Sequence, residues 1–230
     1  MITRRNFLKN LTLLTAAGFI STSTLAKNLY SRVLVTAKDF KQKIIQIILA
    51  LKDEGSDLVK KVMNGREYIF DPYTHYPYDG GIKDPATGCQ LFFHAHRPNE
   101  YGHFHTFVTD SNGELIHLIL ISMNDKGEPI GLATVNRWVT DDKYVKADVL
   151  KKFAESFYIN PVLYKDKRVV EFINYIFKSY PDEINHLFDQ RDKWISDYVN
   201  KNYNEPFEDR DYEVLSFTEI NILDYDKTNW

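Results

Sequence analysis

The stretch FFHAHRPNEYGHFHTF, residues 92–107, carries four of the chain's seven histidines. His94 and His96 form one H-x-H pair, His103 and His105 a second, and Glu100 lies between them. Imidazole changes charge nearest to neutral pH and is the commonest protein ligand for transition metals. Two chemistries suit the stretch: metal binding, and acid–base or ligand-binding work without a metal. Packing is a third use, because Phe and Tyr crowd the same region.

Side chains alternate along a strand. If 89–96 and 103–109 are strands joined by a simple hairpin, His96 faces His103, and His94 faces His105. All four rings then share one side of the sheet. Opposed Cβ atoms would stand about 4.5–5.5 Å apart, within reach of one ion at about 2.0–2.1 Å. A slip of a single residue would scatter them. Imidazoles packed this closely resist protonation, and an ion would use their neutral lone pairs. Zn, Fe, Mn, Cu and Ni all suit such donors. With ordinary imidazole pKa values near 6.5, binding should weaken below about pH 6.

Other groups can complete a site. Glu100 or Asp79 could serve as general base, and Asp84 could support the ligand shell. Asp79 and Asp84 also sit in the turn strings YDGG and KDP. Arg137 could anchor a carboxylate or phosphate, or pair with a nearby acid such as Asp141. The spacing leaves open whether His75 and His117 join. His186 falls on an amphipathic helix and reads as a partly exposed structural residue. An open metal position beside an acid would make a metal-dependent enzyme, whether oxygenase, hydrolase or isomerase, acting on a small-molecule substrate. A closed shell would make a binding protein for a metal or small ligand.

The elements that must position these residues read as α+β. Four strands, 89–96, 103–109, 115–122 and 129–139, follow one another with the short linkers RPNEYG, TDSNGE and NDKGE. Such linkers predict an antiparallel meander, with 212–223 as a returning fifth strand. Helices flank it. Phe40, Ile44, Ile47, Ile48 and Leu51 recur at helical spacing before Gly55, and a short helix follows Ser56. After the strands come helices over 146–157, after Pro161, and over 181–202, the last with Ile184, Leu187, Phe188, Trp194, Ile195 and Tyr198 as its buried stripe. Residues 66–88, rich in Pro, Gly, Asp and Tyr, read as one long loop.

Residues 1–26 stand apart from residues 27–230, which read as a single domain. Thr3-Arg4-Arg5-Asn6-Phe7-Leu8-Lys9 is similar to the twin-arginine export signal, and an apolar stretch and STSTLA come after it. The order basic, apolar, small is that of a cleaved leader. The resemblance implies export of a folded protein by the twin-arginine translocase, to the periplasm or beyond. No later apolar run is long enough to predict a stable membrane span after cleavage. The leader holds Arg4, Arg5 and Lys9 and no acid, so 29 basic residues fall to 26 against 32 acidic ones, a net charge of −6. That balance argues against nucleic acid or an anionic membrane as partner. Cys89 is the only cysteine, which excludes an intrachain disulfide.

These strings carry two family resemblances. Gly88, His94, His96 and Glu100 resemble the first half of the cupin motif, whose barrels hold a metal with three His and a Glu. Pro129 and Gly131 are similar to its second half, but Phe107, Thr134 and Trp138 replace its later Gly, His and Asn. The segments HYPYDGGIKDPATGCQLFFHAHRPNEYGHFHTF, ISMNDKGEPIGLATVNRWVT and EVLS resemble a bacterial family of unknown function. That family shares an H-A-H-R…G-H-F-H core and an N-R-W-V-T string. The resemblance implies a single site over 75–138 and supplies no reaction.

Overall fold

The computed structural model describes the backbone of residues 21–223 and the side chains from Ala37 onward. The twin-arginine string and most of the expected leader lie outside the described residues. Helix α1 runs Ser21–Asp53, so it begins well before Ala37. The chain divides into two compact units, Met1–Asp39 and Phe40–Trp230, and the second holds the sheet and all seven histidines. Among the described residues no helix is long and apolar enough to cross a membrane.

The architecture is α+β. Helix α2 (Leu58–Met63) precedes strands β1 (Asp71–Tyr76), β2 (Ile82–Lys83), β3 (Cys89–Ala95), β4 (Gly102–Thr109), β5 (Leu115–Met123) and β6 (Pro129–Val135). Helices α3 (Arg137–Thr140), α4 (Ala147–Ser156), α5 (Lys167–Ser179) and α6 (Pro181–Asn202) come next, and β7 (Val214–Glu219) returns to the sheet. The strand order is β1-β3-β4-β5-β6-β7, with β2 also on β3, and all pairs are antiparallel. The sheet is open, with β1 and β7 at the two ends of this order, so it is not the closed barrel of a cupin.

Hydrophobic alternation gives the sheet two different faces. Phe93, Phe104, Ile121 and Leu132 lie in register on one face, all fully buried. They belong to the main core with Ile44, Ile48 and Leu51 of α1, Phe172 and Ile176 of α5, and Leu187 and Phe188 of α6. On α6 Trp194 and Tyr198 are only half-buried and pack on Tyr212. The opposite face carries a second row: His94, His103, Ser122, Gly131 and Glu219 are successive partners across five strands.

Three expectations need correction. The supposed loop 66–88 contains β1 and β2. Pro72 disguises β1, but an edge strand tolerates proline because its outer N–H needs no partner. The strand expected over 129–139 stops at Val135, because Asn136 accepts a hydrogen bond from the N–H of Arg137 and caps α3. The β3–β4 hairpin is also offset by two residues. His94 faces His103, and Phe92 faces His105. Gly102 accounts for the close entry into β4. Its φ is +149°, and a Cβ there would lie 2.3 Å from the ring of Phe93. A two-residue offset preserves parity, so the histidines keep their common face.

A bulge decides the place of His117. β5 spends Leu118 and Ile119 opposite Thr106, between the pairs His105–Leu120 and Phe107–His117. An unbroken ladder would put His117 on the core face; the extra residue turns it to the histidine face. The buried Thr106 hydroxyl bridges the gap, donating to the Ile119 carbonyl at 2.8 Å and accepting from the Ile119 N–H at 3.1 Å. Thr106→Val is expected to strand both backbone groups and lower unfolding free energy by roughly 2–4 kcal/mol. Thr106→Ser should stay within about 1 kcal/mol of wild type; urea denaturation of the two variants measures the difference.

Candidate metal centre

Strands β3 and β4 deliver His94 and His103 as direct cross-strand neighbours, and His96 reaches them from the first residue after β3. Each of the three offers a ring nitrogen, and these atoms lie within 4.8 Å of one another. His94 and His103 are buried, whereas His96 is half-buried at the rim. The Nε2 atoms of His94 and His103 stand 2.6 Å apart. At that distance one nitrogen must carry the proton and the other a lone pair, or both must give lone pairs to a cation. Two nitrogens on one tetrahedral ion at about 2.0–2.1 Å would stand roughly 3.3 Å apart. The pair would have to part by less than about 1 Å.

Glu100 sets the tautomer of His103. Its carboxylate accepts from the Nδ1–H of His103, and the Ser122 hydroxyl bonds to it as well. Nε2 of His103 is thereby left as the lone-pair nitrogen, pointing at His94. This carboxylate–imidazole arrangement orients metal-binding histidines and raises their basicity. Burial pushes the Glu100 pKa above the usual carboxylate range. Arg97 lies beside it, with Nη1 3.7 Å from Glu100 and Nε 3.5 Å from Glu213.

His105 stands next to the triad but outside the set whose nitrogens group together. Its ring lies 4.9 Å from that of His94 and 4.8 Å from that of His103. Its Nδ1 is 2.9 Å from Nε2 of His117. Its Nε2 is buried and has no hydrogen-bond partner. His75, brought in by β1, packs 4.3 Å from Phe92 and 5.5 Å from His94. Six of the seven histidines therefore form one chain of ring contacts. His186 is exposed on α6.

The cluster is held uncharged. Burial drives the pKa of His94 down to about 2 and that of His117 to about 3, with neighbouring positive charge adding to both. Burial also holds His103 and His105 well below the ordinary imidazole value. His75 and His96 are lowered too, again mainly by burial. Neutral rings are the form in which histidine binds a metal. Stacking on Phe92 and Phe107 explains part of the burial, but leaves the facing nitrogens of His94 and His103 and the unpartnered Nε2 of His105 unexplained.

The remaining candidates fall elsewhere. Asp79 is exposed in the turn before β2 and touches the cluster only as a charge near His75. Asp84 is buried as a structural group, accepting from the N–H groups of Ala86 and Asn160. Arg137 pairs with Glu208 and lies over Phe207, and it makes no hydrogen bond to a histidine. Its string N-R-W-V-T is a clamp: the Asn136 amide donates to the carbonyls of Pro206, Asp209 and Tyr212, and the Trp138 ring N–H to that of Tyr212.

Residue-by-residue reading missed Arg97, whose one signal was its place directly after His96. It also missed Ser122, which nothing local distinguishes. With Glu100, Phe217 and Glu219 these line a cleft of about 870 Å³.

Residues 38–220 match the family described as a domain of unknown function (DUF6969). No curated protein and no solved structure matches the chain. The match spans most of the sequence, including every strand and the whole histidine cluster, and the chain belongs to that family.

Proposed function

We propose that this protein binds a divalent transition metal through His94, His96 and His103, with Glu100 orienting His103. The observation that carries the reading is the convergence of three uncharged imidazoles, two of them buried nitrogen to nitrogen. The donor set suits Zn, Cu, Ni, Fe or Mn. Retention of the ion, with His105 as a further ligand, is the use best supported, because buried Nε2 of His105 has no partner in the protein. Metal-dependent catalysis on a small molecule is the second reading, favoured by the half-exposed rim at His96. In that reading Glu100 is committed to His103, and Asp79 and Arg137 would need to act from outside the cluster. We also propose that the protein is exported folded, on the strength of the Arg4-Arg5 string alone.

Chain produced without a histidine tag should carry a single ion, measured by inductively coupled plasma mass spectrometry. His94→Ala and His103→Ala should each reduce metal content at least tenfold, while His186→Ala should leave it unchanged. No uptake of any of the five metals at micromolar concentration would sink the metal reading.

Acid should act on this site differently from a cluster of ordinary imidazoles. The folded rings stay neutral while the unfolded chain's histidines take up protons near pH 6.5, so stability falls as pH drops through that value. At pH 5 each imidazole kept neutral costs about 2 kcal/mol. Metal-free protein should therefore melt well below its pH 7 temperature at pH 5. Metal release should track unfolding rather than a titration near pH 6. Thermal melts and metal release at matched pH test this; release at pH 6 from fully folded protein would contradict it. For export, Arg4→Lys with Arg5→Lys should hold the protein in the cytoplasm, as fractionation would reveal; normal export of the double variant would refute the signal.

A further inference from the structure

We infer that His117 is the positioning residue that makes His105 the fourth nitrogen donor of the metal centre; the inference rests on the metal reading above. His105 is fully buried, and its two nitrogens have unequal surroundings. Nδ1 meets Nε2 of His117 at 2.9 Å, while Nε2 meets nothing. Two proton arrangements are available. If His117 donates, His105 carries its own proton on Nε2, as a buried donor with no acceptor. If His105 donates through Nδ1, its Nε2 holds a lone pair on the face shared with His94 and His103. Only the second arrangement, with a cation present, uses both nitrogens.

The fold goes to some length to bring His117 there. The β5 bulge places it opposite Phe107 on the histidine face. Its backbone N–H is held by the Asp142 carboxylate at 3.0 Å, and its ring stands edge-on to Phe107 at 5.1 Å. His105 lies outside the grouped nitrogens of the triad, so its ring must shift toward the ion to bind it. His117 thereby sets whether the ion is left with an open position or enclosed by four imidazoles.

Cobalt(II), added to metal-free, untagged full-length chain, reports the coordination number, since four-coordinate tetrahedral Co(II) absorbs visible light far more strongly than five- or six-coordinate Co(II). Wild type should give the intense tetrahedral spectrum. His105→Ala should lose that intensity. His117→Phe fills the space beside Phe107 without offering an acceptor, and should lose it too, with roughly 10–100-fold weaker Co(II) binding. His117→Gln supplies an amide oxygen that can accept the Nδ1–H, and should restore both. Wild-type affinity and spectrum in a folded His117→Phe, or identical behaviour of the Phe and Gln variants, would overturn the role of His117 and leave the triad standing. Failure of wild type to bind Co(II) would overturn the metal reading and this inference with it.

Discussion

The contact between Nε2 of His94 and Nε2 of His103, 2.6 Å across, cannot survive a charge on both rings. Much of the site depends on that requirement. Two imidazolium ions at this separation would repel strongly in a buried setting, where charges interact several times more strongly than in water. The protein keeps the rings neutral by removing them from solvent, His94 almost completely and His103 fully. It then fixes the proton positions: Glu100 holds Nδ1–H of His103, and Ser122 holds Glu100. The ring nitrogens of His94, His96 and His103 are left grouped within 4.8 Å of one another, with Arg97 near enough to discourage any added proton on His96 or His103.

The sheet can support such a cluster because its two faces divide the work. Stability comes from the face bearing Phe93, Phe104, Ile121 and Leu132, which packs within the main core. The histidine face has Phe92 and Phe107 stacked among its rings and a small apolar cluster around Leu120, Ala133 and Val135. Strand pairing couples the two. Each core residue that locks the register of β3 on β4 also fixes the imidazole beside it, since a shift of one residue would exchange the faces. The same rigidity makes the site depend on backbone detail. Gly102 permits β4 to start against Phe93, and Thr106 closes the bulge that turns His117 inward.

Several residues that look reactive hold the structure together instead. Asn136, Arg137 and Trp138 form a compact string of functional side-chain types, yet Asn136 is fully buried as the tether of the 206–212 segment and Arg137 pairs at the surface. Asp84 likewise resembles a candidate ligand and is a turn-forming group bonded to backbone. Conversely Arg97 and Ser122 act at the cluster through Glu100, although neither belongs to a recognisable motif.

The α+β class, the meander, the flanking helices and the common face of His94, His103 and His105 were legible in the chain itself. They depend on local periodicity and on parity, and parity survives the two-residue offset of the hairpin. Strand β1 was hidden by Pro72, whose missing N–H matters in a central strand and not at an edge. The sequence could not locate His117, because one extra residue in β5 reverses its direction and the bulge is set by pairing with Thr106 on the neighbouring strand. Nor could it separate Glu100 from Asp79, two carboxylates of equal chemical promise. One is folded back onto His103 and the other is left in solvent. Local sequence determined which way the side chains alternate; only the tertiary structure decided which of them meet, because meeting requires neighbouring strands to be held in one register by the core on the other face.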